Sequence, residues 1–129
     1  MTPRVQEELG LLKQRYPQME LSPNGVWVRI TAYPVSPGWN RAETVVVFKI
    51  PVEYPSGPPY GIYVPSGILF NGTKPSSYAE PAGEKPPFEG EWGMFSWTPD
   101  DGQWKAEPEI LKGSNLLNWV IGFSQRFSA

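Results

Sequence analysis

The sequence predicts an α+β domain: an N-terminal helix, an antiparallel four-stranded meander, a long irregular stretch rich in proline and glycine, and a C-terminal helix. Two amphipathic segments near the ends of the chain predict the helices. Extended apolar runs between turns that contain proline and glycine predict the strands. The chain has 129 residues, which is the length of one domain, and we expect a single domain over residues 1–129.

The first helix is predicted over residues 2–16. Thr2 is a suitable N-cap, Pro3 takes the first helical position, and apolar residues recur at positions 5, 9, 12 and 16. Pro17 ends this helix because proline disfavours the helical conformation in the residue before it. The last helix is predicted over residues 114–127, with Ser114 in the capping region and an apolar stripe at positions 116, 120, 123 and 127 that should dock on the sheet.

Four strands are predicted between the helices, over residues 19–21, 25–33, 43–52 and 60–64. The third of them is apolar on both sides in its middle, which is typical of a central strand with cover on both faces. Residues 65–92 are rich in Pro, Gly, Ser and Glu and show neither a helical nor a strand period. We interpret them as a long surface excursion within the domain.

Composition excludes several classes of function. The formal charge of -2, with 11 basic and 13 acidic residues, gives no reason to expect nucleic acid or an anionic membrane as a partner. The sequence shows no spanning segment and no signal-peptide pattern, so we expect a cytoplasmic protein. The chain has no Cys and no His, which removes thiolate and imidazole chemistry, and we expect neither a metal nor a cofactor.

A proline-rich motif follows the third predicted strand, Glu53-Tyr54-Pro55-Ser56-Gly57-Pro58-Pro59-Tyr60. It resembles the Tyr-Pro-x-x-Pro-Pro turn that joins the third and fourth strands of ubiquitin-conjugating enzymes. The predicted order of elements is similar to that family as well, and the resemblance covers most of the chain. The abundance of tryptophan from Trp92 to Trp119 is most similar to divergent bacterial branches of this superfamily.

A second motif, Gly93-Met94-Phe95-Ser96-Trp97, is similar to the segment around the family's catalytic cysteine, and Ser96 stands where that cysteine would be. The family places a Trp eight residues after its cysteine, and Trp104 stands eight residues after Ser96. The family's His-Pro-Asn motif is missing. Asn71 is the nearest remnant and lies 25 residues before Ser96, so the oxyanion role of the family's Asn does not transfer directly.

The resemblance implies a catalytically inactive relative of ubiquitin-conjugating enzymes, an adaptor that binds a ubiquitin-like protein or its activating enzyme. A serine hydroxyl needs a neighbouring base to act as a nucleophile, and the chain has no His to provide one. If Ser96 instead replaces a cysteine of an active enzyme, the reaction would be the transfer of a ubiquitin-like protein through a thioester. A third interpretation is an unrelated module whose aromatic surface binds a peptide or a glycan.

Aromatic and proline side chains near the two motifs are the candidates for binding. They are Tyr54, Pro58, Pro59, Trp92, Trp97 and Trp104. Each also has a structural interpretation, because consecutive prolines with a Tyr make a loop rigid and a small domain buries most of its Trp side chains. Exposed Trp is nevertheless a common interface anchor, and the clustering of Trp near Ser96 supports the binding hypothesis.

Overall fold

The computed structural model describes residues 3–54, 59–96 and 104–127. The described elements, in chain order, are helix α1 (Pro3–Arg15), strands β1 (Glu20–Leu21), β2 (Trp27–Pro34), β3 (Glu43–Lys49), β4 (Ile62–Pro65), β5 (Tyr78–Ala79) and β6 (Trp92–Phe95), a 3-10 turn (Ile110–Lys112), and helices α2 (Leu116–Ile121) and α3 (Phe123–Phe127). The α+β class predicted from the sequence is therefore confirmed.

The sheet has six strands in the order β1-β2-β3-β4-β6-β5, and every neighbouring pair is antiparallel. Strands β1 to β4 form the predicted meander. The predicted count of four strands is too low, because β6 adds to β4 and β5 adds to β6. Strand β5 has only two residues, and such a strand is defined by its pairing partner more than by its own sequence.

The main core lies between the helices and one face of the sheet. Val28, Ile30, Phe48 and Ile62 point into it and are fully buried, and Phe123 contacts the Phe48 ring with centroids 6.2 Å apart. The prediction that the last helical segment docks on the sheet is thus confirmed. The prediction of a central third strand is also confirmed, since β3 lies between β2 and β4 and has buried side chains on both faces.

The predicted C-terminal helix over residues 114–127 consists of two consecutive helices, α2 and α3, with Gly122 between them. Its N-cap is Asn115, not Ser114. The Asn115 side chain accepts a hydrogen bond from the Asn118 backbone N at 2.8 Å, whereas the Ser114 hydroxyl accepts one from the Lys105 backbone N at 2.9 Å. Asn115 starts the helix because its extended backbone places the side chain oxygen over the first turn.

The opposite face of the sheet carries a second, smaller apolar cluster. Its buried members are Trp27, Val47, Tyr63 and Trp92. Part of the stretch over residues 65–92, which the sequence predicts as an irregular excursion, covers this face, because Ala82 and Phe88 pack against the cluster. The excursion therefore takes part in the fold as a second layer of cover.

Candidate functional site

Ser96 is the first residue after β6 and is exposed. The Phe95 side chain before it is fully buried in the main core. The Ser96 backbone N donates a hydrogen bond to the Ser77 carbonyl oxygen at 2.8 Å, which extends the pairing of β5 with β6 by one residue. Ser96 thus has a fixed backbone and a side chain at the surface, at the end of an inner strand of the sheet.

A nucleophilic serine needs a base beside it. Among the residues that the structure describes, no side chain forms a hydrogen bond with the Ser96 hydroxyl. The two acidic residues that follow in sequence, Asp100 and Asp101, lie outside the described residues. In the described part of the site, the serine is held through its backbone.

Asn71 has a backbone φ of 50° in a turn, a left-handed conformation that Asn adopts more readily than most residues. Its backbone N donates to the Gly38 carbonyl oxygen at 2.6 Å, and its side chain is exposed. Within the described ranges no hydrogen bond joins Asn71 to Ser96. The geometry gives Asn71 a role in the turn.

An aromatic cluster nevertheless connects the neighbourhoods of these two residues. The ring of Trp39 lies 4.9 Å from that of Phe70 and 6.0 Å from that of Phe95, measured between centroids. Phe70 precedes Asn71, and Phe95 precedes Ser96. The Trp39 indole N also donates to the Phe127 carbonyl oxygen at 2.9 Å, so the end of α3 is fixed to the same cluster.

Tyr54 and Trp104 lie together although 50 residues separate them in the sequence. Their ring centroids are 5.7 Å apart in an edge arrangement. Tyr54 is only 6% exposed, Trp104 is partly buried and Pro59 is buried. These three candidates occupy packed positions, and Pro58 lies outside the described residues.

Beneath Tyr54 lies a buried carboxylate that the sequence analysis did not identify. Glu8 is 1% exposed and accepts hydrogen bonds from the Tyr54 hydroxyl, from Arg4 Nε at 2.7 Å and from the Leu116 backbone N at 2.7 Å. Burial is the main cause that raises the pKa of the Tyr54 hydroxyl, and its hydrogen bond to the Glu8 carboxylate raises that pKa further. Glu8 therefore joins α1, the Tyr of the proline-rich turn, and the first residue of α2.

The signal for Glu8 was present in the sequence. Position 8 lies three residues after Val5 and four before Leu12, so it belongs to the apolar face of α1. A charged residue at such a position needs partners that the helix alone does not supply. Those partners come from segments of the chain about 46 and 108 residues away, and no local pattern reveals them.

Trp92 lies on the opposite side of the sheet from the main core. It is 6% exposed, belongs to the second apolar cluster, and its indole N donates to the Phe88 carbonyl oxygen at 3.1 Å. Little of the Trp92 side chain is therefore accessible to a partner protein. Trp97, the other Trp beside Ser96, lies outside the described residues.

Two apolar side chains near the proline-rich turn are strongly exposed. Val52 is 101% exposed and Tyr60 is 54% exposed. On one side of Val52, a shallow cleft of about 200 Å³ includes Val5, Ile50 and Pro51 in its lining. A second cleft of about 230 Å³ includes Tyr60 in its lining. This exposed surface, formed by Val52, Tyr60 and the two clefts, has the apolar exposure that is typical of a surface that contacts another protein.

The described residues contain no group of three or more His, Cys, Asp or Glu side chains placed to hold a metal ion. None of the described helices has the length and apolarity needed to cross a membrane. Comparison of the chain with protein-family models, with curated proteins and with solved structures gave no significant match.

Proposed function

We propose that this protein is a non-catalytic relative of ubiquitin-conjugating enzymes that binds a ubiquitin-like protein, or a partner of a ubiquitin-like conjugation pathway, without covalent chemistry of its own. The observation that carries the proposal is Ser96. It stands exposed at the end of β6, in the position that the resemblance gives to the nucleophile, in a chain that contains neither Cys nor His.

The packing around the proline-rich turn supports the proposal. Tyr54 belongs to the first motif of the resemblance and Trp104 to the spacing of the second, and their rings are in contact. The Tyr54 hydroxyl donates a hydrogen bond to the Glu8 carboxylate, and the backbone N of Leu116 in α2 donates to the same carboxylate. This contact between residues of the two motifs supports the proposal.

The exposed surface formed by Val52, Tyr60 and the two clefts supports a role in binding. Exposed apolar side chains beside shallow clefts are typical anchors for a protein partner. The Tyr60 ring can pack against a partner while its hydroxyl forms a hydrogen bond at the hydrated edge of the interface. We therefore assign the contact with the partner to this surface rather than to buried Trp92.

A titration tests the proposal. The labelled protein is titrated with a panel of ubiquitin-like proteins, and binding is followed by calorimetry and by NMR shifts. We expect Val52→Asp and Tyr60→Ala each to weaken binding about tenfold or more. Ser96→Ala should leave the affinity unchanged.

Leu111→Ala is the matched control, because Leu111 is 73% exposed and lies in the 3-10 turn, outside the proposed surface. Absence of binding to every ubiquitin-like protein and activating enzyme tested contradicts the proposal. Tight binding that Ser96→Ala abolishes contradicts the assignment of the contact to the Val52 and Tyr60 surface. A Ser96→Cys variant that accepts a ubiquitin-like protein as a thioester would favour the interpretation that this chain derives from an active enzyme.

The exposure of Tyr60 and Val52 also favours a second candidate function, a peptide- or glycan-binding module. A peptide array and a glycan array distinguish the two. The module is favoured if a ligand from either array binds, if Tyr60→Ala removes that binding, and if ubiquitin-like proteins do not compete.

A further inference from the structure

Residues 83–90 form a segment, here called the strap, that crosses the second face of the sheet. Beneath it lies the cluster of Trp27, Val47, Tyr63 and Trp92. This cluster is separate from the main core, so the helices and the first face of the sheet do not depend on the strap for their own burial.

The strap has little apolar contact of its own. Of its eight residues, only Pro86 is buried and Phe88 is half-buried. The other six are exposed: Gly83, Glu84, Lys85, Pro87, Glu89 and Gly90. A segment that buries so few side chains contributes a small share of the free energy of folding.

Backbone hydrogen bonds hold the residues that flank the strap, which form its base. The Ala82 backbone N donates to the Trp92 carbonyl oxygen at 2.8 Å, and the Ser66 backbone N donates to the Glu91 carbonyl oxygen at 3.0 Å. Gly90, just inside this base, has a φ of 118° that other residues rarely adopt. The strap is thus a compact loop with adjacent ends, of the kind called an Ω-loop.

Three contacts hold the middle of the strap to the sheet. The Trp92 indole N donates to the Phe88 carbonyl oxygen at 3.1 Å, and the guanidinium of Arg29 lies 4.8 Å from the centre of the Phe88 ring. Lys49 and Glu84 form an ion pair at 2.9 Å whose side chains are 40% and 54% exposed. An exposed pair of this kind contributes little, so Phe88, together with buried Pro86, is the main attachment.

We propose that the strap opens as a unit about its closed base, while the sheet and the main core stay folded, and that opening uncovers an aromatic sheet face formed by Trp27, Tyr63 and Trp92. Segments with few buried contacts open at lower free energy than the core they cover. The structure is the closed state of this lid.

Hydrogen exchange of the full chain, followed by NMR, tests the lid. The Trp92 indole proton reports opening of the strap, the Ala82 amide reports the base, and amides of the β2–β3 ladder report global unfolding. We expect the indole proton to exchange at least tenfold faster, relative to its intrinsic rate, than the Ala82 amide and the ladder.

Phe88→Ala should increase the indole exchange rate about tenfold further, because it removes the Phe88 ring from the main attachment, and should leave the protection of the ladder within twofold. Leu111→Ala, an exposed change in the 3-10 turn, is the control and should alter neither. The lid is overturned if the indole proton and the ladder exchange with the same free energy in the unaltered protein, or if Phe88→Ala changes both equally.

Discussion

The buried carboxylate of Glu8 supports the strongest prediction about stability. Glu8→Ala removes one acceptor and leaves three donors: the Arg4 guanidinium, the Tyr54 hydroxyl and the Leu116 backbone N. Breaking a buried ion pair by removing one partner costs about 3–5 kcal/mol. The Arg4 side chain is 20% exposed, so water partly solvates it, and we expect a loss of about 3 kcal/mol. For a chain of this length, that loss lowers Tm by roughly 10 °C.

Urea denaturation and thermal melting, both followed by circular dichroism, measure this effect. Glu7→Ala is the matched control, because Glu7 precedes Glu8 in α1 but is exposed, and it should change the free energy of unfolding by less than about 0.5 kcal/mol. Tyr54→Phe removes one hydrogen bond to a charged group and should cost about 1.5–3 kcal/mol. The two losses should not add in the double variant, since both changes affect one network. A loss below about 1 kcal/mol for Glu8→Ala would refute the proposed role of this carboxylate.

Three further predictions concern glycines and acid stability. Gly10→Ala should raise the free energy of unfolding by about 0.5–1 kcal/mol, because Gly10 lies exposed inside α1 and a Cβ there meets nothing within 4 Å; a decrease in urea midpoint would contradict this. Gly93→Ala should lower the free energy of unfolding by about 1–3 kcal/mol, because a Cβ there would overlap the Tyr78 ring. An unchanged urea midpoint would contradict this and show that the ring can move away. The Glu80 carboxylate accepts hydrogen bonds from the Gly67 backbone N and the Tyr78 hydroxyl, which lower its pKa below the usual 4.5. The ionised Glu80 carboxylate therefore stabilises the folded state fully at pH values above 4.5. This stabilisation is lost as the pH falls through the lowered pKa of the folded state. Glu80→Gln should make the unfolding free energy less dependent on pH between about pH 5 and 3, as measured by urea titrations at several pH values; an unchanged pH dependence would contradict the assignment.

Most of the fold follows from local patterns in the sequence. The apolar stripe of α1 and the continuous apolar run of β3 predict their own positions, and β3 is central with buried side chains on both faces. Strand β6 was missed as a strand. Its four residues, Trp92–Phe95, follow an irregular stretch, and its pairing with β4 depends on contacts about 30 residues away. Such non-local pairing leaves a weak local signal.

The candidate site was predictable only in part. The spacing of the two motifs indicated Ser96 and Trp104 as candidates, and the structure places Ser96 at the end of β6 and Trp104 against Tyr54. No local pattern separates buried Trp92 from exposed Tyr60, because the burial of Trp92 depends on the strap. The network around Glu8 also escaped prediction, since its members come from distant parts of the chain.

We propose that this protein binds its partner without a covalent bond, and mass spectrometry tests the proposal. The protein is mixed with a ubiquitin-like protein that it binds, the matching activating enzyme and ATP, and the sample is measured under native and then denaturing conditions. We expect a complex under native conditions and only the unmodified chain mass after denaturation. A covalent adduct that survives denaturation and disappears in Ser96→Ala would contradict it.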